Sequence, residues 1–295
     1  MNYSKTGKSF LSDGVECVAW YYKPNTEMPL PIIVMAHGLG GTKEMRLDVY
    51  AESFAEAGFA CFLFDYRNFG ESKGKDRQNI NAKLQLEDWN AAINFTKTLD
   101  GIDANRIGIF GSSFSGGHVI TLSAERQDIK AVIAQCPFTS GIASGMKLNL
   151  FSAFKISILS IADLISQLLG LKPILVDLGG PPGSTSLMPV ADYKGYYSLV
   201  PEETNFKRKV WARTAFQVLC YEPKNKIKHI DCPIYFAICE KDSVAPPNVT
   251  SKYAKNAKKS IIKHYPYGHF EIYLGEAFHN VITDYVKFYK ENLIA

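Results

Sequence analysis

Arg106-Ile107-Gly108-Ile109-Phe110-Gly111-Ser112-Ser113-Phe114-Ser115-Gly116-Gly117 reads as a short buried strand, a sharp turn and the start of a helix. The strand is expected over Arg106–Phe110 and the helix to about Arg126. A serine at the apex of such a turn has its hydroxyl lifted clear of the strand end. Small neighbours are needed because the turn strains the serine backbone and presses helix onto strand. In the usual glycine, any, serine, any, glycine spacing, Gly111 makes Ser113 the nucleophile and leaves Ser115 where the second glycine normally stands. A shifted register makes Ser115 the nucleophile but lacks the first glycine. The bland alternative is a glycine-rich turn with no chemistry.

Outward from this turn, the chain alternates. Strands are expected at Val15–Tyr22, Pro31–Ala36, Phe59–Phe64 and Ala131–Cys136, and helices at Lys43–Ala57 and Leu84–Leu99. Such alternation gives a mostly parallel, doubly wound α/β sheet with helices on both faces. Ligands of these sheets bind at the carboxyl ends of the strands. The polar and glycine-rich stretches fall there: His37-Gly38, Asp65-Tyr66, Gly111 to Gly117, and Glu240 to Pro246.

The alternation stops from Phe138 to about His229. Phe151, Phe154, Ile158, Ile161, Ile165 and Leu168 recur at helical spacing, and Phe206 to Tyr221 reads as a further helix. Alternation resumes with strands at Pro233–Cys239 and Ile261–Tyr265 and a helix from about Gly275. The expected organisation is a core domain of residues 1–137 and 230–295, with a helical lid inserted at 138–229. The underside of that lid is expected to present Phe151, Phe154, Ile158 and Ile161 to a substrate. The competing reading is that this stripe is the insertion's own core, and it also allows a homodimer interface.

A nucleophilic serine needs a base, and the base a carboxylate to hold its tautomer. In this strand–turn–helix class the chain order is serine, acid, histidine. Asp242 follows the strand Pro233–Cys239 in a loop that ends at Pro246-Pro247, which favours it over Glu240 as the acid. Beyond Asp242 stand His264, His269 and His279. His264 is expected within a strand and His279 on the last helix, so His269, in the loop Pro266 to Phe270, is the candidate base. The oxyanion of an acyl-transfer intermediate needs two fixed donors. The expected ones are the backbone N–H groups of Phe114 and of Leu39, in the loop His37-Gly38-Leu39-Gly40-Gly41. His37 reads as a structural hydrogen-bonding residue.

Composition narrows the partners. The 295 residues are 46% hydrophobic and 21% charged with net charge +4, an ordinary globular balance. Lysine and arginine are scattered, with no basic stripe, so nucleic acid is not expected. The six cysteines show no metal-ligand spacing, and buried thiols suggest a reducing, cytoplasmic setting. The first residues lead into no apolar signal segment. Phe151–Leu171 contains Lys155, Asp163 and Gln167, so no membrane span is expected.

Together, His37–Gly41, Asp65-Tyr66-Arg67-Asn68-Phe69-Gly70-Glu71-Ser72, the serine turn, Glu240-Lys241-Asp242 and Gly268-His269-Phe270 resemble the α/β-hydrolase superfamily. The similarity runs over nearly the whole chain, nearest to the dienelactone-hydrolase-like and S15-peptidase-like bacterial hydrolases. Tyr196-Tyr197-Ser198-Leu199-Val200-Pro201 resembles the lid of that branch. Dienelactone hydrolases use cysteine where this chain has Ser113, a departure that separates the two activities. The expected activity is hydrolysis of an ester or related acyl bond in a small molecule, without metal or cofactor. A peptidase, amidase or acyltransferase would use the same triad, and a non-catalytic binding protein the same fold.

Overall fold

The computed structural model describes residues 1–294. In chain order its elements are β1 (Tyr3–Ser12), β2 (Val15–Pro24), β3 (Leu30–Ala36), α1 (Leu47–Glu56), β4 (Ala60–Phe64), α2 (Ala82–Thr96), β5 (Ile102–Ser112), α3 (Phe114–Glu125) and β6 (Ile129–Gln135). A long crossover follows: α4 (Gly141–Gly145), α5 (Leu150–Leu168), β7 (Leu175–Asp177), β8 (Gly179–Gly180), β9 (Met188–Pro189), α6 (Tyr193–Ser198), β10 (Lys209–Trp211) and α7 (Thr214–Cys220). The chain closes with β11 (Ile234–Lys241), α8 (Pro247–Ala254), β12 (Ser260–Gly268) and α9 (Gly275–Leu293).

Eight strands form one sheet in the order β1-β2-β4-β3-β5-β6-β11-β12. From β4 to β12 every neighbour is parallel, and β1 and β2 add an antiparallel edge. Helices α1 and α9 cover one face, α2 and α3 the other. Every residue of β3 and β4 is buried, which is why both read as unbroken apolar runs rather than alternating ones. The fold is thus the mostly parallel α/β sheet expected.

Three elements depart from expectation, each for a local reason. Strand β1 is largely exposed and polar, with Phe10 and Ser12 its buried residues, so it carries no apolar signal. Its hairpin turn is Asp13-Gly14, with φ of 48° and 76°, the left-handed pair a two-residue turn requires. The helix expected at Lys43 begins only at Leu47. Lys43 is held instead by Asp65, its N–H donating to Oδ1 (2.7 Å) and its Nζ to Oδ2 (2.9 Å), and Arg46 sits at φ 65°. The helix expected over Phe206–Tyr221 splits into β10, paired with β7, and the short α7. Asp163 on α5 draws the intervening Arg213 N–H and guanidinium inward, fixing the break.

The crossover from β6 to β11 lies over the carboxyl ends of the strands, enclosing a cavity with them. The turns Pro223–Asn225 and Ile227–His229 pack on α3 in the sheet layer.

Candidate active site

Ser113 is the first residue after β5 and sits at φ 58°, ψ −120°. A non-glycine residue there costs about 1–3 kcal/mol and persists only where its surroundings over-determine it. They do so here. The Ser113 N–H donates to Gln135 O (2.9 Å), and its carbonyl accepts from Phe138 N–H (2.8 Å). A Cβ on Gly111 would stand 2.3 Å from Ser115 O, and one on Gly116 would stand 2.7 Å from Pro137. Gly38 approaches the serine from the other side, where a Cβ would meet Ser113 Cβ at 3.0 Å.

Ser115 has a separate task. It is fully buried, and its hydroxyl is 2.9 Å from the Tyr66 hydroxyl, which also accepts from Trp89 Nε1 at 2.8 Å. A serine fits where glycine is usual because its hydroxyl finds this partner at the end of β4.

Ser113, His269 and Asp242 come together from three strand ends. His269 Nε2 lies 2.9 Å from Ser113 Oγ, and Nδ1 lies 2.7 Å from Asp242 Oδ2. A carboxylate only accepts, so Nδ1 carries the proton and Nε2 is left to accept from the serine hydroxyl. The other oxygen of Asp242, Oδ1, accepts from the N–H groups of Val244 (2.8 Å) and Ala245 (2.7 Å), which fixes the carboxylate. Burial of His269 opposes the imidazolium, yet Asp242 and the neighbouring Cys136 outweigh it and hold the pKa well above the ordinary imidazole value. His264, by contrast, lies on the exposed face of β12 near Ser251, and His279 lies on α9.

The N–H groups of Leu39 and Phe114 donate to no acceptor among the described residues. Phe114 opens α3, so its N–H has no partner within the helix. Both residues border the same cavity as Ser113. His37 is buried beneath this loop, with Nδ1 3.0 Å from Gly38 O and Nε2 3.7 Å from Asp65. Burial pushes its pKa down and keeps it neutral.

Two cavities meet at Ser113. One, of about 360 Å³, is bordered by Phe138, Ile142, Met146, Ala153, Ile156, Leu187 and Phe216, among others. The other, of about 30 Å³, is bordered by His269, Phe270, Tyr273, Met188, Tyr196 and Leu199. Phe151, Phe154 and Ile158 border neither. They are 59%, 64% and 49% exposed, on the outward face of α5, as is Ile161. The residues of α5 that reach the large cavity are Ala153, Ile156 and Ser157. Beside Ile156, the rest of the inward face is mostly small or polar and is bonded to the protein: Ser160 Oγ donates to Ala212 O (2.7 Å), and Asp163 pairs with Arg213 (2.8 Å).

Two neighbours of the site belong to neither the triad nor the oxyanion motifs. The Tyr196 hydroxyl donates to Leu39 O at 2.9 Å, tying the crossover to the candidate oxyanion loop. Cys136, at the end of β6, offers its Sγ within 4.8 Å of both the His269 and Asp242 ligand atoms, the one cluster of potential metal donors among the described residues. Two of its three members are already bonded to each other.

This geometry agrees with the similarity to known proteins. The family described as serine aminopeptidase, S33, matches residues 27–277. The chain belongs to that family of α/β hydrolases. The S33 match sits beside a relative 47% identical over 282 residues, the quorum-quenching protein AidA of Acinetobacter baumannii, covering 95% of this chain and 93% of that one. The thiohydrolase aneE of Aspergillus aculeatus is 27% identical, over 89% of this chain and 86% of its own. Among solved structures, the α/β hydrolase GrgF from Penicillium sp. sh18 superposes with a TM-score of 0.82 at 21% identity, covering all of both chains.

Proposed function

We propose that this S33-family hydrolase is a serine esterase for substrates with an apolar acyl group. The observation that carries the reading is the unbroken hydrogen-bonded line from Ser113 through His269 to Asp242, beside two free N–H groups. Ser113 Oγ attacks the carbonyl carbon as its proton passes to His269 Nε2. The carbonyl oxygen gains the negative charge and is met by Leu39 and Phe114 N–H. Collapse breaks the bond to the leaving group, which takes the proton from His269. Water, deprotonated by the same imidazole, then releases the acyl group and restores Ser113.

The two cavities divide the substrate. The group that takes a proton from His269 must lie on the His269 side, where the space is about 30 Å³. The acyl chain then occupies the cavity of about 360 Å³ on the other side, whose lining is mainly apolar. A compact leaving group and an extended acyl chain fit this division. An aminopeptidase must also hold a substrate ammonium, and no aspartate or glutamate borders either cavity. Thioesters satisfy the same geometry, as the thiohydrolase relative suggests, and an acceptor alcohol in place of water would make the reaction a transfer.

The test is Ser113→Ala, assayed on a panel of acyl esters, thioesters and aminoacyl amides, with and without acceptor alcohols. Activity should fall at least about a thousandfold, and fluorophosphonate labelling should vanish. Retained turnover in the variant refutes the nucleophile. Wild-type protein that neither labels nor turns over any member is a binding protein.

A further inference from the structure

The outward face of α5 takes no part in the acyl-transfer chemistry. A surface helix ordinarily turns its apolar stripe inward. Here Ser152, Ser160, Asp163 and Ser166 point in with Ile156 as the one buried apolar side chain, while Phe151, Phe154, Ile158, Ile161 and Ile165 point out. Leu150 and Leu168, at the two ends, are 88% and 85% exposed. The mean hydropathy of the helix reaches 1.4 over an 18-residue window, enough by length and composition to cross a membrane. It is fastened to the protein along one side, however, by the Asp163–Arg213 pair and by Ser160. Only one face is offered, which is the arrangement of a helix lying in an interface.

Two observations choose the occupant. The first is charge. From Gly141 to Ile174 and along α7, the only acidic residue is Asp163, and it is buried against Arg213. Lys147 and Lys172 are exposed and bracket the helix. Two copies docked by a two-fold axis would bring lysines together with no carboxylate to receive them. An anionic lipid surface accepts both the apolar face and the flanking ammonium groups. The second is continuity with the site. Ile142 and Met146 are exposed (53% and 81%) and also border the cavity that reaches Ser113. Exposed apolar residues therefore run from the cavity mouth along the chain to Leu150 at the start of α5.

We propose that the outward face of α5 docks on an anionic lipid surface, with the mouth of the Ser113 cavity against the lipid. Docking on this face is independent of the esterase reading, since it can be read without turnover. The experiment is flotation of the full chain with vesicles of phosphatidylcholine alone or mixed with phosphatidylglycerol. The wild type should float with the mixed vesicles, less so as salt is raised. Phe154→Ser/Ile161→Ser should lower partitioning about a hundredfold, and Lys172→Gln about fivefold. Neither variant touches the cavities, so hydrolysis of a soluble short-chain ester should be unchanged, and circular dichroism should report an intact fold. The proposal is overturned if the wild type stays at the bottom of the gradient, including when it does so as a dimer that Phe154→Ser/Ile161→Ser dissociates. Equal flotation of wild type and that double variant, or of wild type with neutral and anionic vesicles, overturns it as well.

Discussion

In β3 and β4 every side chain is apolar or small and every one is buried. In α5, on the crossover above them, three serines, an aspartate and Ile156 are buried, while Phe151, Phe154, Ile158, Ile161 and Ile165 face out. The sheet is placed by removing apolar area from water, at about 25 cal/mol per Å². The crossover is placed by specific polar bonds to backbone: Ser160 to Ala212, Ser166 to Lys172, and Asp163 to the N–H groups of Ile174 and Arg213. A region of the first kind tolerates exchange among apolar residues of similar volume. A region of the second kind depends on a few polar atoms, so changing one of them is expected to loosen the cavity wall it holds.

The largest effect expected at the sheet end of this contrast is at Asp242. Asp242→Asn removes the charge that raises the His269 pKa and allows the wrong tautomer. We expect kcat to fall about a thousandfold or more. The base must be neutral to act, so activity in the wild type falls as pH drops through a His269 pKa lying above the ordinary imidazole value. In Asp242→Asn the larger of the two raising influences is gone, leaving Cys136 alone against burial, so the acid limb should move to lower pH. A pH–rate profile checks both parts, and an unmoved limb would detach Asp242 from the relay.

The crossover end is tested by Asp163→Asn. The change leaves Arg213 buried without its counter-charge, and breaking such a pair costs about 3–5 kcal/mol. Urea denaturation should show the loss. If instead stability is unchanged while Phe216 or Ile156 truncation is costly, then apolar packing rather than polar bonding places the crossover, and the contrast fails.

The same contrast explains what could be read in the sequence. Buried parallel strands and a strained serine turn leave unavoidable marks, namely apolar runs, Gly111, Gly116 and the glycines beside Leu39. Polar–backbone fastening leaves none. The stripe Phe151, Phe154, Ile158, Ile161 breaks the rule that apolar faces turn inward because Ser160 and Asp163 on the opposite side have partners far along the chain, at 212 and 213. Strand β1 was illegible for the converse reason: it is an exposed edge, marked only by the turn Asp13-Gly14. Tyr196 was visible only as part of a lid-like stretch, since nothing in its neighbours points to Leu39.

Tyr196 is where the two regions touch at the chemistry, and it supplies the smallest effect. Its hydroxyl donates to the carbonyl of Leu39, one peptide beyond the N–H that would meet the oxyanion. Tyr196 is buried, so Tyr196→Phe strands that carbonyl without its donor, at a cost of about 1–3 kcal/mol. If the bond only holds the crossover down, thermal stability drops while kcat per folded molecule stays the same. If it sets the loop for the transition state, kcat falls about tenfold with KM nearly constant, because the donor is misaimed for the oxyanion while the cavity proposed for the acyl chain is untouched. We expect the second outcome. The oxyanion loop is glycine-rich on both sides of Leu39, so its backbone has little intrinsic stiffness, and the Tyr196 bond supplies a fixed point.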